Sequence, residues 1–156
     1  MPAVETADLP KALAEIAQDF TELSVSERLQ LLLEFSEELP QLPSRYADAP
    51  EKMEQVHECQ SPVFLVVEVD EASSPDPTKR VVSLFFSAPQ EAPTTRGFAG
   101  ILREGLDQLT VEEVLAVPED APYRFGLAEA VSPLRLRGMV GMLGRIKRQT
   151  ALKSRV

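Results

Sequence analysis

The sequence predicts an α+β fold in which a small antiparallel sheet of about three strands is flanked by N-terminal and C-terminal helices. Three observations support this prediction. Apolar residues at helical spacing fill both ends of the 156-residue chain, and two β-branched runs lie near its middle. The predicted strands follow one another instead of alternating with helices, which is typical of an antiparallel sheet covered by helices.

The N-terminal part of the chain predicts two helices joined by a tight connection. Apolar side chains recur on one face in residues 10–23, and Pro10 suits a first helical turn. Residues 24–27, Ser-Val-Ser-Glu, form a capping box, which starts a second helix. Pro40 ends that helix, because proline lacks an amide hydrogen and clashes with the preceding turn.

The middle of the chain predicts a loop followed by a β-hairpin. Residues 40–56 hold three prolines and little periodicity, as a loop does. Residues 63–69 and 81–86 predict two strands, because the segment between them is rich in serine, aspartate and proline. A lone hairpin is marginally stable in water, so we expect a third strand. Residues 57–59, or those that lead into them, are its expected source.

From Thr95 the pattern becomes helical again. Residues 98–109 carry an apolar stripe, and a second capping box at residues 110–113 opens a short helix. Ser132 and Pro133 predict the N-cap and the first position of a last helix. The inward face of that helix is predicted to carry Leu136, Met139, Val140, Leu143 and Ile146.

Three glycines recur at every third position of this last helix, at Gly138, Gly141 and Gly144. Each glycine destabilises a helix by about 1 kcal/mol relative to alanine. Their repetition therefore predicts close backbone packing against a neighbour, or a surface kept free of side chains for a partner.

Charge is unevenly distributed along the chain, whose formal net charge is −9. All 25 acidic residues lie at or before Glu129, whereas seven of the 16 basic residues lie at or after Arg135. An acidic body argues against general nucleic-acid binding, which needs a broad basic surface. We expect the basic end to complement its own helix dipole or the acidic body, with partner docking as the alternative.

Length and composition predict a single domain over residues 1–156, with its core at about residues 10–150. No apolar run approaches the roughly 18 residues of a membrane span, and no signal-peptide pattern is expected at the N-terminus. A single cysteine permits no internal disulfide, which favours a reducing, cytoplasmic location. The chain also lacks the cysteine cluster of a structural zinc site, so no metal is expected.

Reactive side chains are concentrated at residues 57–62, which hold the only histidine and the only cysteine. His57 and Cys59 would share one side of an extended segment, so a local pair is geometrically possible. Glu58 between them would raise the pKa of the thiol. Composition alone favours an inert Cys59, since free cysteines are often small buried residues. Its place in a polar, proline-flanked turn argues instead against a core position.

The residues that begin at Cys59 resemble the cysteine motif of the SufE family. Residues 59–64, Cys-Gln-Ser-Pro-Val-Phe, are similar to the motif Gly-Cys-x-Ser-x-Val-Trp from its cysteine onward. Three later segments also resemble family segments in the same order: residues 96–97 (Lys/Arg-Gly), residues 109–114 (Thr-Pro-Glu-Glu-Ile) and residues 132–142 (Ser-Pro-Ser-Arg-x-x-Gly-Leu-x-Ala-Met). The resemblance spans about residues 10–150. It departs at Glu58, where the motif has glycine, and at Phe64, where it has tryptophan.

The resemblance implies a sulfur carrier of iron–sulfur cluster assembly, and not a stand-alone enzyme. A SufS-like cysteine desulfurase, which carries the pyridoxal phosphate, would hold sulfur as a persulfide. Cys59 would accept that sulfur and pass it to an iron–sulfur scaffold complex. By accepting the sulfur, the carrier would stimulate the desulfurase. The chain itself would need no cofactor beyond the transient persulfide, and is expected to be a monomer or weak homodimer. The implied docking residues are Gln60, Ser61, Glu91, Arg96 and Arg135.

Two other classes of protein stay open at this point. A non-catalytic interaction module with an inert Cys59 would still bind its partner as Cys59→Ser. A stand-alone thiol enzyme would turn over without a partner and would lose its activity as His57→Ala.

Overall fold

The structure is a computed structural model that describes residues 8–155. Those residues form six α-helices and one three-stranded antiparallel sheet, so the α+β prediction is confirmed. In chain order the elements are α1 (Lys11–Thr21), α2 (Val25–Glu38), α3 (Ser44–Ala47), β1 (Glu54–Gln55), β2 (Phe64–Asp70), β3 (Val81–Ser87), α4 (Pro93–Leu106), α5 (Val111–Leu115) and α6 (Pro133–Ser154). Within the described range, no helix combines the length and the hydropathy that crossing a membrane requires.

Both predicted capping boxes lie where helices begin. At the start of α2 the Glu27 N–H donates to Ser24 Oγ (3.3 Å), and the Ser24 N–H donates to Glu27 Oε1 (3.0 Å). Thr110 and Glu113 make the same reciprocal pair at the start of α5. The Ser132 hydroxyl caps α6, as predicted. These positions could be predicted because a cap satisfies backbone donors that the first helical turn leaves unpaired.

The central strand of the sheet is β2, with β1 and β3 on either side. β2 and β3 pair along their full length, as the predicted hairpin requires. The third strand comes from the residues that lead into 57–59, which was one of its two predicted sources. β1 and β2 form a hairpin of their own, and its loop, residues 56–63, contains Cys59.

Side chains of α6 cover the edge of β2 that the short β1 leaves unpaired. The Val67 N–H donates to Gln149 Oε1 (2.8 Å), and the Val67 carbonyl accepts from Lys153 Nζ (2.6 Å). The buried Gln149 also donates through Nε2 to Glu54 Oε1 (2.8 Å). α6 therefore completes the hydrogen bonding of the sheet, since unpaired edge groups buried under a helix would be costly.

The predicted inward face of α6 is buried except at Val140, which is half-buried, and Met142 is buried in addition. Val140 lies at the flank of that face, so the prediction that it is a core residue is wrong. The basic end of the chain complements the charge of the acidic body, because Arg145 and Arg148 form ion pairs with Glu54. This agrees with the first of the two predicted uses for the basic residues.

α4 lies between the N-terminal helices and α6. Two glycines let it approach α2 very closely. A Cβ on Gly97 would lie 2.5 Å from the Leu32 carbonyl oxygen, and one on Gly100 would lie 2.4 Å from that of Phe35. The glycine repeat predicts close backbone packing for α6 alone, whereas the contact between α2 and α4 depends on such packing as well.

Candidate functional site

Cys59 lies in the hairpin loop between β1 and β2, which folds back on itself. The Val56 N–H donates to the Val63 carbonyl (2.8 Å), and the Cys59 N–H donates to the Val56 carbonyl (3.1 Å). The side chain of Cys59 is only 8% exposed and packs with the main hydrophobic core. The expectation that a proline-flanked turn excludes a core position is therefore wrong, because the loop bends onto α6.

The surface that receives this loop is the glycine face of α6. A Cβ on Gly138 would lie 2.8 Å from the Cys59 sulfur, and one on Gly141 would lie 2.8 Å from Glu58 Cδ. Nothing lies within 4 Å of a Cβ built on Gly144. Two of the three glycines thus provide the close packing that their repetition predicts, and the neighbour is the Cys59 loop.

Glu58 adopts this turn without the backbone freedom of glycine. The only non-glycine residues between 8 and 155 that have positive φ are Gln108 and Arg155. The glycine of the family motif is therefore not required here by backbone strain. Instead the carboxylate of Glu58 lies over Gly141 and forms an ion pair with Arg145, whose Nη1 is 2.9 Å from Glu58 Oε1.

The environment of Cys59 keeps its thiol protonated. Burial is the main cause that raises the pKa of the Cys59 thiol to about 11, and the charge of Glu58 raises it further. Arg145 lowers the pKa in opposition, but less strongly. A thiol in this state is a poor nucleophile at neutral pH, since the thiolate is the reactive form.

A groove of about 420 Å³ opens beside the buried thiol. Its walls come from the Cys59 loop, from the segment that leads into α4 and from the first turns of α4 and α6. The lining residues are Glu58, Cys59, Gln60, Ser61, Glu91, Ala92, Pro93, Thr94, Thr95, Leu134 and Arg135. The groove gathers four of the five predicted docking residues around Cys59, although they come from three separate parts of the chain.

Two exposed residues at the start of α6 shape the rim of this groove. Leu134 is 48% exposed and offers an apolar surface beside the groove. Arg135 Nη1 lies 3.5 Å from Thr94 Oγ1, so the guanidinium reaches across the groove from α6 to α4. Leu134 could not be predicted as a groove residue, because no periodicity separates an exposed apolar residue from a core residue at a helix start.

Arg96, the fifth predicted docking residue, lies away from the groove. Its guanidinium donates to the carbonyls of Ser36 (2.9 Å), Ala88 (2.6 Å) and Leu39 (3.3 Å). These contacts tie the end of α2 to the residues that follow β3. Arg96 therefore stabilises the contact between these two segments, and its part in docking stays a prediction.

His57 does not share the environment of Cys59. Its side chain is exposed, whereas that of Cys59 is buried, and His57 is not among the residues that line the groove. Among residues 8–155 there is also no group of three or more His, Cys, Asp or Glu side chains that could hold a metal ion. The chemistry of the site therefore centres on a single sheltered thiol.

Comparisons with known proteins point to one family. The family model SufE, described as an Fe-S metabolism associated domain, matches residues 14–150. An uncharacterized SufE-like protein of Mycobacterium tuberculosis is 54% identical over 143 residues, which cover 92% of this chain and 94% of that protein. SufE-like protein 1, chloroplastic/mitochondrial, of Arabidopsis thaliana is 26% identical over 137 residues, which cover 87% of this chain and 34% of that protein.

The fold is also similar to a solved structure. The solution structure of a hypothetical protein from Thermus thermophilus superposes with a TM-score of 0.78 at 36% identity, over 95% of this chain and 99% of that one. Together with the match of the family model over most of the chain, these similarities show that the chain belongs to the SufE family of Fe-S metabolism.

Proposed function

We propose that this protein is a sulfur carrier, which takes persulfide sulfur from a cysteine desulfurase onto Cys59 and passes it to an iron–sulfur assembly scaffold. The observation that carries this proposal is the position of Cys59. Its thiol lies at the buried edge of a groove, and it is held by a loop and not by a strand. Such a thiol can be protected in the free protein and presented to a partner.

The transfer is an exchange between sulfur atoms with no net oxidation. The Cys59 thiol loses its proton, and the thiolate attacks the outer sulfur of the partner's cysteine persulfide. A new S–S bond forms on Cys59 while the S–S bond of the partner breaks, and the partner's thiolate leaves and takes up a proton. In the second step a nucleophile on the scaffold takes the outer sulfur, and Cys59 is released as a thiolate.

The high pKa of the Cys59 thiol means that docking must lower this pKa before the thiol can react. Because burial is its main cause, moving the loop out of the core would lower the pKa and expose the sulfur together. In the free protein the same burial protects a persulfide from water and from stray thiols. A protein partner that draws the loop outward would therefore activate Cys59. The activated thiol would remove the persulfide sulfur from the desulfurase and so stimulate it.

The groove-lining residues support a docking role for this face. Gln60, Ser61, Glu91 and Arg135 surround Cys59 with side chains that donate and accept hydrogen bonds. The exposed Leu134 adds an apolar contact on the rim. A polar surface with one apolar anchor is typical of interfaces that form and dissociate.

The burial of Cys59 also favours a second candidate, an interaction module with an inert thiol. The two candidates differ in what a desulfurase does to Cys59. We expect iodoacetamide to label Cys59 slowly in the free protein and severalfold faster with the desulfurase present in the absence of cysteine. Peptide mass analysis separates Cys59 from the cysteines of the partner. Binding of the desulfurase without any acceleration would favour the inert module instead.

The kinetic test of the carrier uses the desulfurase reaction itself. Adding this protein should raise the steady-state rate of alanine release from cysteine, and Cys59→Ser should abolish that increase. Equal stimulation by both proteins would contradict the proposal, since it would place the effect in binding and not in the thiol.

A further inference from the structure

We propose that Arg145, acting through Glu58, is the positioning residue that holds the Cys59 loop in its sheltered place on α6. This inference rests on the proposed function only for its purpose, because it concerns the free protein. Neither residue is among the docking residues that the resemblance implies. Their pairing joins the residue next to the thiol with the helix that covers it.

The first observation is the double contact of Arg145 Nη1. This nitrogen is 2.9 Å from Glu58 Oε1 and also donates to the Gly141 carbonyl at 3.1 Å. The Glu58 carboxyl occupies the space that a side chain at position 141 would fill, since a Cβ on Gly141 would lie 2.8 Å from Glu58 Cδ. The guanidinium therefore clamps the carboxylate against the backbone of α6, one residue away from Cys59.

The second observation is that Arg145 is itself fixed. Its side chain is 16% exposed, whereas that of Glu58 is 43% exposed. Arg145 Nε is buried without a hydrogen bond and lies 3.5 Å from Glu54 Oε2. Glu54 belongs to β1, so one guanidinium attracts carboxylates at both the start and the middle of the Cys59 hairpin.

The remaining anchors of the loop are its buried ends, Val56 and Val63, which share a hydrogen bond, and Cys59 itself. Cys59 contributes the hydrogen bond from its N–H to the Val56 carbonyl and the contact of its sulfur with Gly138. Loss of the pair between Glu58 and Arg145 should therefore loosen the loop without unfolding the hairpin, whose strands are joined to α6 through Gln149 and Lys153.

Glu58 and Arg145 both hold the loop in place, but their charges shift the pKa of the Cys59 thiol in opposite directions. Removing either charge releases the same contact. The charge of Glu58 raises the pKa of Cys59, and that of Arg145 lowers it. The other charges on this contact are those of Glu54 and Arg148, which pair with each other. A positioning role is thus distinguishable from a general effect of charge on the thiol.

The test uses the free protein with no desulfurase present. Amide hydrogen exchange, measured by NMR, gives the protection factor of the Cys59 N–H in Glu58→Gln, in Arg145→Gln and in the double variant. Each single variant should lower the protection about two- to fivefold, the range of a partly exposed ion pair. The double variant should lower it no further than Arg145→Gln alone, because both changes remove the same contact between Glu58 and Arg145.

Arg148→Gln is the matched control, because Arg148 lies on the same helix and pairs with Glu54 but not with Glu58. Its protection factor at Cys59 should match that of the unmodified protein. Arg145→Lys should keep most of the protection, since the contact with Glu58 uses one guanidinium nitrogen. If Arg145→Gln does not fold, Glu58→Gln carries the test alone, because that side chain is half exposed and keeps its shape.

The pH profile of Cys59 alkylation supplies the second readout. Its midpoint should fall in Glu58→Gln, because the lost negative charge and the looser loop both lower the pKa of Cys59. The midpoint should stay higher in Arg145→Gln than in Glu58→Gln, because the lost positive charge raises that pKa while the looser loop lowers it. Unchanged protection in both single variants, or losses that multiply in the double variant, would overturn the proposal. Neither outcome depends on sulfur transfer, so a failed carrier test leaves this result standing, and the reverse also holds.

Discussion

The sulfur of Cys59 lies against the backbone of Gly138, where a single added methyl group would come within 2.8 Å of it. This contact joins the loop that carries the reactive atom to the helix that shelters it. It explains why a glycine occupies a helix interior, a position where glycine is otherwise unfavourable. The place of Cys59 is thus determined as much by α6 as by its own hairpin.

Gly138→Ala should displace Cys59 and destabilise the protein. The added methyl group cannot fit beside the sulfur unless the sulfur moves, by rotation of the side chain or with the loop, so iodoacetamide should label Cys59 faster than in the unmodified protein. Gly144→Ala is the matched control, because its methyl group meets no atom within 4 Å. We expect urea denaturation to give a free energy of unfolding about 1–3 kcal/mol lower for Gly138→Ala than for Gly144→Ala. Equal stability and equal labelling of the two would show that the contact with Gly138 is unimportant.

The raised pKa of Cys59 predicts a loss of stability at alkaline pH. The folded thiol titrates at about 11 and the unfolded one near its ordinary 9.0, so the unfolded chain releases its proton first. The contribution of the thiol is therefore fully present below about pH 9 and declines as pH rises towards 11. The measurement is urea denaturation at a series of pH values. Subtracting the Cys59→Ser variant isolates the thiol from Tyr46 and Lys153, which also have shifted pKa values. A difference that stays constant from pH 8 to pH 11, about the window of the shift, would contradict this account.

Gln149→Leu should destabilise the sheet by about 1–3 kcal/mol, because it leaves the Val67 N–H buried without a partner. The change keeps the size of the side chain, so little of the loss comes from a cavity. Urea denaturation measures the total effect, and hydrogen exchange at Val67 localises it. Gln18→Leu, an exposed change on α1, should stay within about 0.5 kcal/mol of the unmodified protein. An equally small effect of Gln149→Leu would mean that α6 is not needed to complete the edge of β2.

Arg135→Ala should slow sulfur loading of Cys59 by roughly fivefold or more, because arginine is among the residue types whose truncation at an interface most often costs more than about 1 kcal/mol. Its stability should not change, since the side chain is exposed. The measurement is the rate of persulfide formation with limiting desulfurase. Arg137→Ala removes the same charge from an exposed position outside the groove and should load normally. Equal rates for the two variants would remove Arg135 from the docking surface.

The fold could be predicted where signals are local. The capping boxes at Ser24 and Thr110, and the N-cap at Ser132, depend on neighbours within three residues, and each lies where the sequence predicts. The two long strands have a composition that no helix shares. β1 could be placed only approximately, because two residues carry no periodicity and its pairing depends on the hairpin with β2.

The candidate site, in contrast, depends on contacts between distant parts of the chain, which local sequence signals do not predict. The motif at Cys59 identified the thiol, but the motif could not show that the thiol is buried, because its burial comes from α6. In the sequence, Glu58 is only a departure from the motif and a charge beside the thiol. Its partner Arg145 lies far along the chain, and no local pattern joins the two. The repeated glycines were the one signal in the sequence that pointed to this contact.

The proposed transfer of sulfur to Cys59 is tested most directly by the intact mass of the protein after incubation with a cysteine desulfurase and free cysteine. We expect a mass increase of one sulfur atom, which is removed by a thiol reductant and is missing in Cys59→Ser. No added sulfur under conditions in which the desulfurase turns over, or the same addition to Cys59→Ser, would contradict it.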